Sequence, residues 1–349
     1  MAKVTVAVPI YNAEKYLENC IKSVINQSFK DIQILLINDG SSDQSGEICD
    51  RYQLKDPRIK VYHNSNQGVS NTRNFAINKS DGKYICFVDA DDEIDTYMVQ
   101  TLHEYIENED ADMVICGHKS VYLEHKNKQI VKHNPPEFNG SIIEFLERIE
   151  EFLNTESVQG PCGKIFKTEL IKKNKIQFPK KLSFGEDTIF VYSYLSCSKK
   201  IVSIEKCFYS YMKRNNNSLS ASITQDKVKI FINLYDDLQK LLNKFNIYEK
   251  QNLIEKKICL AAVSCIDEIY QTNRKLSAKK RIEFISNIFS NERVIECFFK
   301  QTHTSKRYKL IGILVQKRLF RLLELLFRLK TLIKTFRGIS LFQREFRAF

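Results

Sequence analysis

Three aspartates end the segment Tyr84-Ile85-Cys86-Phe87-Val88-Asp89-Ala90-Asp91-Asp92, whose first five residues form an apolar run. A short apolar run of this kind predicts a strand that is buried on both faces of a sheet. Asp89 and Asp91 stand at alternate positions directly after this strand, in the turn that leads to the next helix. The place of this acidic turn in the order of strands and helices decides the fold class.

Similar apolar runs recur on both sides of this segment, and helical periodicity separates them. The predicted strands cover residues 3–9, 32–37, 59–62, 84–88 and 112–116, and the predicted helices cover 13–27, 43–52, 69–77 and 95–106. Strands that alternate with helices in this way predict an α/β fold, with a parallel sheet and helices on both faces. Ligands bind such sheets at the carboxyl ends of the strands, where Asp39 and Asp89 both fall. We therefore expect the two acidic loops on one edge of the sheet.

The regular alternation ends near residue 120. The next part of the chain mixes short helices and loops with possible strands at 201–204 and 208–212, and it is followed by a helical region with few Gly or Pro. The sequence thus predicts an α/β domain in two halves, a helical region and a tail, with boundaries at 1–115, 116–225, 226–305 and 306–349.

The positive charge of the chain is concentrated in the tail. The 349 residues include 54 Lys and Arg and 42 Asp and Glu, for a net charge of +12. Residues 306–349 hold twelve of these basic and two of these acidic residues, which leaves 42 basic and 40 acidic residues in 1–305. Residues 1–305 are nearly neutral and so lack the positive charge that binds a nucleic-acid backbone. We therefore expect no nucleic-acid partner.

The ten cysteines are scattered and include no Cys-x-x-Cys pair. Several lie inside apolar runs, where a free cysteine behaves as a small hydrophobic residue. The first residues match a strand and not a signal peptide. Both features predict free thiols in a reducing cytoplasm.

The acidic turn has the composition of a divalent-cation site. Transfer of a sugar from a nucleoside diphosphate needs a cation for the leaving diphosphate and a base for the acceptor hydroxyl. Mn²⁺ or Mg²⁺ meets the first need by binding carboxylates and phosphate oxygens. We assign Asp91 to direct metal contact and Asp89 to the ribose or to a water-mediated contact with the metal. The alternative is that residues 91–93 cap the helix that begins near Asp95.

Four motifs follow one another in the first half of the chain. They are Val8-Pro9-Ile10-Tyr11-Asn12, Asn38-Asp39-Gly40-Ser41-Ser42-Asp43, Asn66-Gln67-Gly68-Val69-Ser70-Asn71-Thr72-Arg73-Asn74 and Phe87-Val88-Asp89-Ala90-Asp91-Asp92. In this order they resemble the family 2 glycosyltransferases, which have a single-domain, Rossmann-like GT-A fold with a mostly parallel central sheet. The resemblance is close over residues 3–115 and looser to about 220. It implies that 1–115 bind a nucleotide sugar and that 116–225 bind the acceptor.

The resemblance gives roles to five residues on the donor side. Pro9 and Tyr11 would pack against the base, since an aromatic ring suits a flat heterocycle. Asp39 would accept a hydrogen bond from the base, which favours uracil and therefore a UDP-sugar donor. Arg73 would lie near the base and the diphosphate, and Asn66 would also contact the donor. The alternatives are core packing for Tyr11, an ordinary turn at Asp39 and a solvated helix position for Arg73.

A second acidic motif, Ser183-Phe184-Gly185-Glu186-Asp187-Thr188-Ile189-Phe190, resembles the family's Glu-Asp motif, whose aspartate is the general base. An aspartate of ordinary pKa is ionised at neutral pH and can take a proton as the hydroxyl attacks. We assign Asp187 as the base and Glu186 to the acceptor pocket. One base opposite the leaving group predicts inversion at the anomeric carbon. The alternative is that both residues cap a helix at 188–195.

Two further stretches, Cys162-Gly163-Lys164-Ile165-Phe166 and Tyr209-Ser210-Tyr211-Met212-Lys213-Arg214, resemble bacterial members that build surface polysaccharides. Lys164 and Arg214 would neutralise the diphosphate of donor or acceptor, or they are solvated side chains. The implied acceptor is a glycan, and we expect a polyprenyl-diphosphate-linked oligosaccharide. The chain has no Trp, so it lacks the Gln-x-x-Arg-Trp motif of processive synthases, and we expect transfer of a single sugar.

The tail, residues 306–349, is predicted to form a basic amphipathic helix. Its apolar positions recur at spacings of three and four: Ile311, Val315, Leu319, Leu322, Leu326, Leu329, Ile333 and Phe336. The opposite face carries Lys317, Arg321, Glu324 and Arg328. Such a helix suits an anionic membrane surface, so we expect a peripheral location on the inner face of the cell membrane. The alternative is a helix packed on the enzyme or on a partner, and the oligomeric state is not indicated.

Other classes of protein compete with this interpretation. A sugar nucleotidyltransferase would need a glycine-rich loop near the N-terminus, and residues 8–20 contain no glycine. The glycine motifs of dinucleotide-binding and P-loop enzymes do not occur either. A non-catalytic, membrane-recruited protein that binds a nucleotide sugar stays open, although Asp89, Asp91 and Asp187 favour an enzyme.

Overall fold

Apolar runs form strands where the sequence predicts them, and helices connect these strands. The computed structural model describes residues 2–124, 127–180, 182, 184–213, 227–271, 276–301 and 305–336. The chain divides into two compact units, Met1–Asn216 and Asn217–Phe349. The described residues of the first unit build the sheet, and those of the second unit are helical.

The first unit alternates strands and helices along most of its length. Its elements in chain order are β1 (Val4–Ile10), α1 (Leu17–Ile25), β2 (Ile32–Asp39), α2 (Ser45–Gln53), β3 (Ile59–Asn64), α3 (Val69–Lys79), β4 (Tyr84–Phe87), β5 (Glu93–Ile94), α4 (Met98–Asn108), β6 (Met113–Glu124), β7 (Asn127–His133), β8 (Phe138–Ser141), α5 (Ile142–Glu147), α6 (Ile149–Asn154), β9 (Lys164–Lys167), α7 (Thr168–Lys173), α8 (Glu186–Leu195) and β10 (Lys200–Lys213).

The strands form one mixed sheet in the order β3-β2-β1-β4-β9-β6-β10-β5, with β7 beside β6 and β8 beside β10. The first four strands of this order pair in parallel. β9 is antiparallel to both of its neighbours, and β6 and β10 are again parallel. β10 passes as one strand through the two segments predicted at 201–204 and 208–212, with irregular register between them. The predicted α/β fold with flanking helices and a helical C-terminal region is confirmed, and antiparallel pairs join its second half.

The parallel half brings two acidic loops to one edge of the sheet. Every residue of β2 is buried, because this strand lies between β1 and β3. Asp39 ends β2 and is only 4% exposed, and Asp89 follows the end of β4 by two residues. Since β2 and β4 run in the same direction, the two aspartates lie on the same edge, as the sequence predicts.

The helix after the acidic turn begins later than predicted. α4 starts at Met98 instead of near Asp95, because the short strand β5 intervenes and pairs with β10. Its N-cap residue, Tyr97, makes no side-chain cap bond. Residues 91–93 therefore do not cap this helix, and the alternative interpretation of the acidic turn is wrong.

Two other helix starts also differ from the predictions. α2 begins at Ser45, whose backbone N–H donates to Asp43 Oδ1 over 3.0 Å, so Asp43 supports the first turn from two residues before it. α8 begins at Glu186 and not at 188, after Gly185 with a φ of 87°. Glu186 and Asp187 are thus the first two helical residues rather than caps.

The second unit contains the helices α9 (Lys227–Lys244), α10 (Gln251–Gln271), α11 (Ala278–Ile288), α12 (Glu292–Lys300), α13 (Lys306–Gln316) and α14 (Phe320–Phe336). Two ion pairs connect α14 to other helices of this unit. Arg281 Nε of α11 lies 2.7 Å from Glu324 Oε1, and Lys330 pairs with Asp267 of α10. None of the described helices is long and apolar enough to cross a membrane.

The tail folds differently from the single predicted helix. α13 and α14 are separate, and Arg318 between them has a left-handed φ of 53°. Because of this break, the residues predicted to form one apolar face do not share the same surroundings. Ile311 is buried, whereas Leu326 is exposed. Glu324, predicted on the polar face, is buried. The part of the predicted helix in residues 337–349 lies outside the described residues.

Candidate active site

Arg73 is the centre of an ion-pair network that joins the two acidic motifs. Its guanidinium lies on α3, is almost fully buried and stacks over the ring of Phe178, 5.3 Å from the centroid. Nη2 donates to Asp89 Oδ1 over 2.8 Å, and Nη1 donates to Asp187. Glu186 Oε1 lies 3.8 Å from Nη1. One side chain thus holds the carboxylate that follows β4 beside the carboxylates that begin α8.

The pKa values of both Arg73 and Asp187 are raised above their ordinary values. Burial opposes the charge of Arg73, but Asp187 and Asp89 raise the pKa of the guanidinium above its ordinary value. Burial raises the pKa of Asp187 to about 7, although Arg73 lowers it. The sequence led us to expect an ordinary, fully ionised aspartate at this position, so the structure corrects that premise. The Asp187 side chain is 31% exposed, which leaves it open to a ligand.

The acidic turn contains carboxylates of two kinds. Asp92 is buried; its Oδ2 accepts a hydrogen bond from the Tyr209 hydroxyl over 2.7 Å, and its Oδ1 accepts one from Met212 N–H over 2.8 Å. The same hydroxyl accepts a hydrogen bond from Asp89 N–H over 3.1 Å. Asp92 therefore anchors the turn to β10. Asp91 is exposed, and the Asp89 side chain is 30% exposed.

The turn fits a divalent cation through Asp89 and Asp91. Burial, followed by the charges of Asp89 and Asp91, raises the pKa of Asp92 well above its ordinary value. That shift reports a concentration of negative charge, which a bound cation would offset. Oxygen ligands of this kind suit Mg²⁺ or Mn²⁺. Asp92 is not assigned as a ligand, because its side chain is buried under β10, to which both of its oxygens are hydrogen-bonded.

Asp39 fixes the loop that precedes α3. Its Oδ1 accepts from Gln67 N–H over 3.0 Å, and its Oδ2 accepts from Gly68 N–H over 2.8 Å. Gly68 has a φ of 86°, a conformation that favours glycine. A carboxylate has about four lone-pair sites, so two backbone bonds leave capacity for a further donor.

The other residues predicted to bind the nucleotide sugar lie around this edge of the sheet. Pro9 is in the last part of β1 and is partly buried, and Tyr11 follows that strand with 54% of its surface exposed. Asn12 connects this loop to the one after β2, since its side-chain carbonyl accepts from Ser42 N–H over 2.8 Å. Asn66 is exposed in the loop before α3.

Lys164 is buried rather than solvated. It lies at the start of β9, and its Nζ donates to the backbone carbonyls of Gly160 and Cys162. Burial lowers its pKa to about 8. The alternative of a solvated lysine is therefore wrong. Arg214 lies outside the described residues.

Two residues that hold the site together, Tyr209 and Phe178, have no role in the sequence-based prediction. Both act through long-range contacts: Tyr209 reaches the acidic turn from β10, and Phe178 covers Arg73 from the loop after α7. An aromatic residue in a strand or a loop gives no sequence signal for such a contact.

Comparison with known proteins shows which family the chain resembles. The sequence profile described as Glycosyl transferase family 2 matches residues 5–174. Glycosyltransferase GlyG of Streptococcus pneumoniae is 32% identical over 242 residues, which cover 65% of this chain and 78% of GlyG. The uncharacterized glycosyltransferase EpsJ of Bacillus subtilis is 33% identical over 221 residues, or 62% of this chain. The match spans 62% of the length of EpsJ.

The fold also resembles solved structures. The S. aureus TarS fragment 1–349, solved in complex with UDP-GlcNAc, superposes with a TM-score of 0.62 at 20% identity, over 94% of this chain and 92% of that one. The mannosyltransferase PcManGT from Pyrobaculum calidifontis, in complex with GDP-Man and Mn²⁺, gives a TM-score of 0.50 at 12% identity, over 93% and 86%. These likenesses establish the fold.

Proposed function

The chain belongs to glycosyltransferase family 2, and from that premise we propose that it transfers a single sugar from a UDP-sugar to a hydroxyl of a glycan acceptor, with inversion at the anomeric carbon. The observation that carries the proposal is the Arg73 network. It holds Asp89, on the donor side, and Asp187, on the acceptor side, against one guanidinium. A transferase needs its leaving-group site and its base at such close range.

Asp187 is the proposed base. As the acceptor oxygen attacks the anomeric carbon, its proton moves to an Asp187 carboxylate oxygen, and the bond between that carbon and the UDP oxygen breaks with its electron pair on UDP. A base works best when its pKa lies near the working pH. Burial, which raises the pKa of Asp187 to about 7, supports this role. Glu186, beside it at the start of α8, is proposed to shape the acceptor pocket.

The proposed uridine site is the loop cluster around Asp39. Asp39 would accept a hydrogen bond from the base with its remaining lone pairs, and Pro9 and Tyr11 would pack against the ring. The exposure of Tyr11, at 54%, supports a stacking role, since it leaves the ring surface open. Asn66 borders the same loop. The UDP-GlcNAc complex of the structurally similar TarS supports a UDP-sugar as donor.

Asp91 and Asp89 would hold Mn²⁺ or Mg²⁺, with Asp91 in direct contact. A divalent cation at this position supplies positive charge to the diphosphate as it leaves. The protein's own cations at the site are Arg73, which stays within reach of Asp89, and in our proposal Lys164 and Arg214. EDTA is expected to abolish turnover, and Asp91→Asn is expected to raise the Mn²⁺ concentration needed for half-maximal rate.

The proposed acceptor is a glycan of bacterial surface polysaccharide synthesis, carried on a polyprenyl diphosphate. A bacterial relative supports a polymeric acceptor: TarS of Staphylococcus aureus, 28% identical over 229 residues, is a poly(ribitol-phosphate) beta-N-acetylglucosaminyltransferase. A lipid-linked acceptor also gives a reason for the basic tail, because it would place the reaction at the inner face of the cell membrane.

The tail is proposed to bind that anionic surface through α14. Leucines on one side of this helix are exposed although they are apolar: Leu322, Leu325, Leu326, Leu329 and Leu332. Arg321 and Arg328 are exposed on the same helix. Exposed leucines beside arginines match the apolar interior and the anionic headgroups of a membrane surface.

The function is tested by UDP release from a panel of UDP- and GDP-sugars with Mn²⁺ and a polyprenyl-diphosphate-linked acceptor. We expect turnover with one UDP-sugar, dependence on the acceptor and an inverted linkage by NMR. Turnover with GDP-sugars alone would contradict the assigned donor, and a retained anomeric configuration would contradict the single-base mechanism.

A further inference from the structure

Two histidines and a glutamate form a second cluster, on elements other than those that carry the acidic turn. His118 lies on β6, His133 ends β7, and Glu156 follows α6. One potential ligand atom from each of the three side chains lies within 4.8 Å of the others. The two imidazole rings are parallel, with centroids 4.3 Å apart and an angle of 8° between their planes.

We propose that His118, His133 and Glu156 bind a zinc ion. Two imidazoles and one carboxylate are a common protein ligand set for Zn²⁺, with a water in the fourth position. Zinc–ligand bonds of about 2.0–2.2 Å place tetrahedral ligand atoms about 3.3–3.5 Å apart. The observed ligand atoms lie farther apart than that, and the lone pairs of the two stacked rings run parallel. Metal binding therefore requires the rings to turn out of the stack until one nitrogen of each points at the ion.

The surroundings fit a bound imidazole pair. The Ser120 hydroxyl is buried and lies 3.3 Å from His133 Nε2. A hydrogen bond to one ring nitrogen orients the ring and leaves the other nitrogen for a metal, which is the usual outer contact of a histidine ligand. In the proposed site Nδ1 of His133 takes that place.

The third member of the cluster completes the ligand set electrostatically. The Glu156 carboxylate supplies the negative charge that a divalent cation needs beside two imidazoles.

The site would fix the loop between α6 and β9. Glu156 begins this loop with a left-handed φ of 56°, and the loop ends at Lys164. Within it, the Gln159 carbonyl accepts a hydrogen bond from the Thr188 hydroxyl over 2.7 Å. Thr188 adjoins Asp187. A zinc ion that fastens Glu156 to the β6–β7 hairpin would thus stiffen a loop that contacts the start of α8.

The test uses full-length protein that has been freed of metal with a chelator and then dialysed against ZnCl₂ in millimolar Mg²⁺. Magnesium occupies oxygen-ligand sites such as the acidic turn, whereas imidazole ligands favour zinc. We expect one zinc per chain by elemental analysis. We also expect His118→Gln and Glu156→Gln to bind zinc at least about 10-fold more weakly. Glu147→Gln, an exposed glutamate on α5, and Asp91→Asn should bind zinc as the wild type does.

Cobalt gives a second readout that needs no variant. Co²⁺ bound by two histidines and a carboxylate in four-coordinate geometry gives intense visible bands, whereas six-coordinate Co²⁺ on exposed carboxylates gives weak ones. Intense bands that zinc displaces would support the site. Wild-type protein that retains no zinc and shows only the weak spectrum would overturn the proposal, and so would folded His118→Gln and Glu156→Gln proteins with wild-type zinc affinity.

Discussion

Asp187 pairs with Arg73 at the start of α8, and burial raises the pKa of its carboxyl group to about 7. Its position in the Glu-Asp motif led to the prediction of a general base, and that role remains a proposal. Its pKa could not be predicted, because the shift depends on burial and on Arg73, which is 114 residues away in sequence. The residue type follows from a local motif, whereas the charge state follows from the fold.

The first prediction concerns the pH dependence of the rate. In the proposed mechanism transfer requires ionised Asp187, and burial raises the pKa of this residue to about 7. We therefore expect kcat to fall about tenfold for each pH unit below that value and to level off above it. The measurement is kcat at saturating donor, acceptor and Mn²⁺ between pH 5.5 and 9. A rate that stays constant down to pH 5.5 would show that no group with this pKa acts in the reaction.

The second prediction concerns Arg73→Lys. A lysine keeps the positive charge but cannot pair with Asp89 and Asp187 at once through a planar fork. Since Arg73 lowers the pKa of Asp187, its loss should move the acidic limb of the pH profile to higher pH. We expect kcat at pH 7 to fall about 10- to 100-fold, with partial recovery at pH 9.

Lys83→Arg is the matched control for this exchange, because Lys83 is an exposed lysine that pairs with Glu107 away from the network. It should leave both the rate and the pH profile unchanged. An Arg73→Lys enzyme with the wild-type profile would show that Arg73 does not control the charge of Asp187.

At the scale of elements, the sequence predicts the parallel half of the sheet well and the second half poorly. Apolar runs separated by amphipathic helices define β1 to β4 without further information. In contrast, β9 enters the sheet between β4 and β6 although it comes later in the chain, and no local pattern indicates that insertion. The place of β10 in the sheet is not indicated by a local pattern either, and this strand carries Tyr209 to the acidic turn.

The third prediction tests that contact through Tyr209→Phe. This change removes the hydroxyl that bonds both Asp92 and the backbone of Asp89, so the turn loses part of its anchor on β10. A lost hydrogen bond to a buried charged group costs about 1–3 kcal/mol of the free energy of unfolding. We expect a lower Tm. We also expect weaker Mn²⁺ binding, so that a higher Mn²⁺ concentration is needed for half-maximal rate.

Tyr105→Phe on α4, at an exposed tyrosine, controls for loss of a hydroxyl in general. It should change neither Tm nor the response to Mn²⁺. If Tyr209→Phe behaved in the same way, the anchoring role of β10 would be wrong.

At the scale of the whole molecule, composition shows where the positive charge lies in the chain. It does not show which residues of that segment are buried. The sequence places the excess of basic residues in 306–349 and predicts one helix there, whereas two helices, α13 and α14, form the described part of this segment. The break at Arg318 was not predictable from spacing, because the periodicity continues across it. The break decides which leucines are buried, so the predicted stripe had to be corrected.

The fourth prediction concerns the membrane proposal. Leu326→Glu places a negative charge among the exposed leucines of α14, so binding to vesicles with anionic phosphatidylglycerol should fall at least tenfold. Leu54→Glu is the matched control, since Leu54 is 89% exposed in the first unit. Co-sedimentation at low and high salt is the measurement, and binding should weaken with salt. Equal binding by both variants and the wild type would remove α14 as the membrane contact.

If Asp187 is the base of a sugar transfer from a UDP-sugar, its replacement must slow the transfer itself. The measurement is kcat for acceptor-dependent UDP release by the wild type and by Asp187→Asn, at saturating substrates and pH 8. Asparagine fits the same space but takes no proton, so we expect a loss of about 10²- to 10⁴-fold, with the Kd for UDP changed by less than a few-fold. An Asp187→Asn enzyme within tenfold of the wild-type kcat would contradict the account.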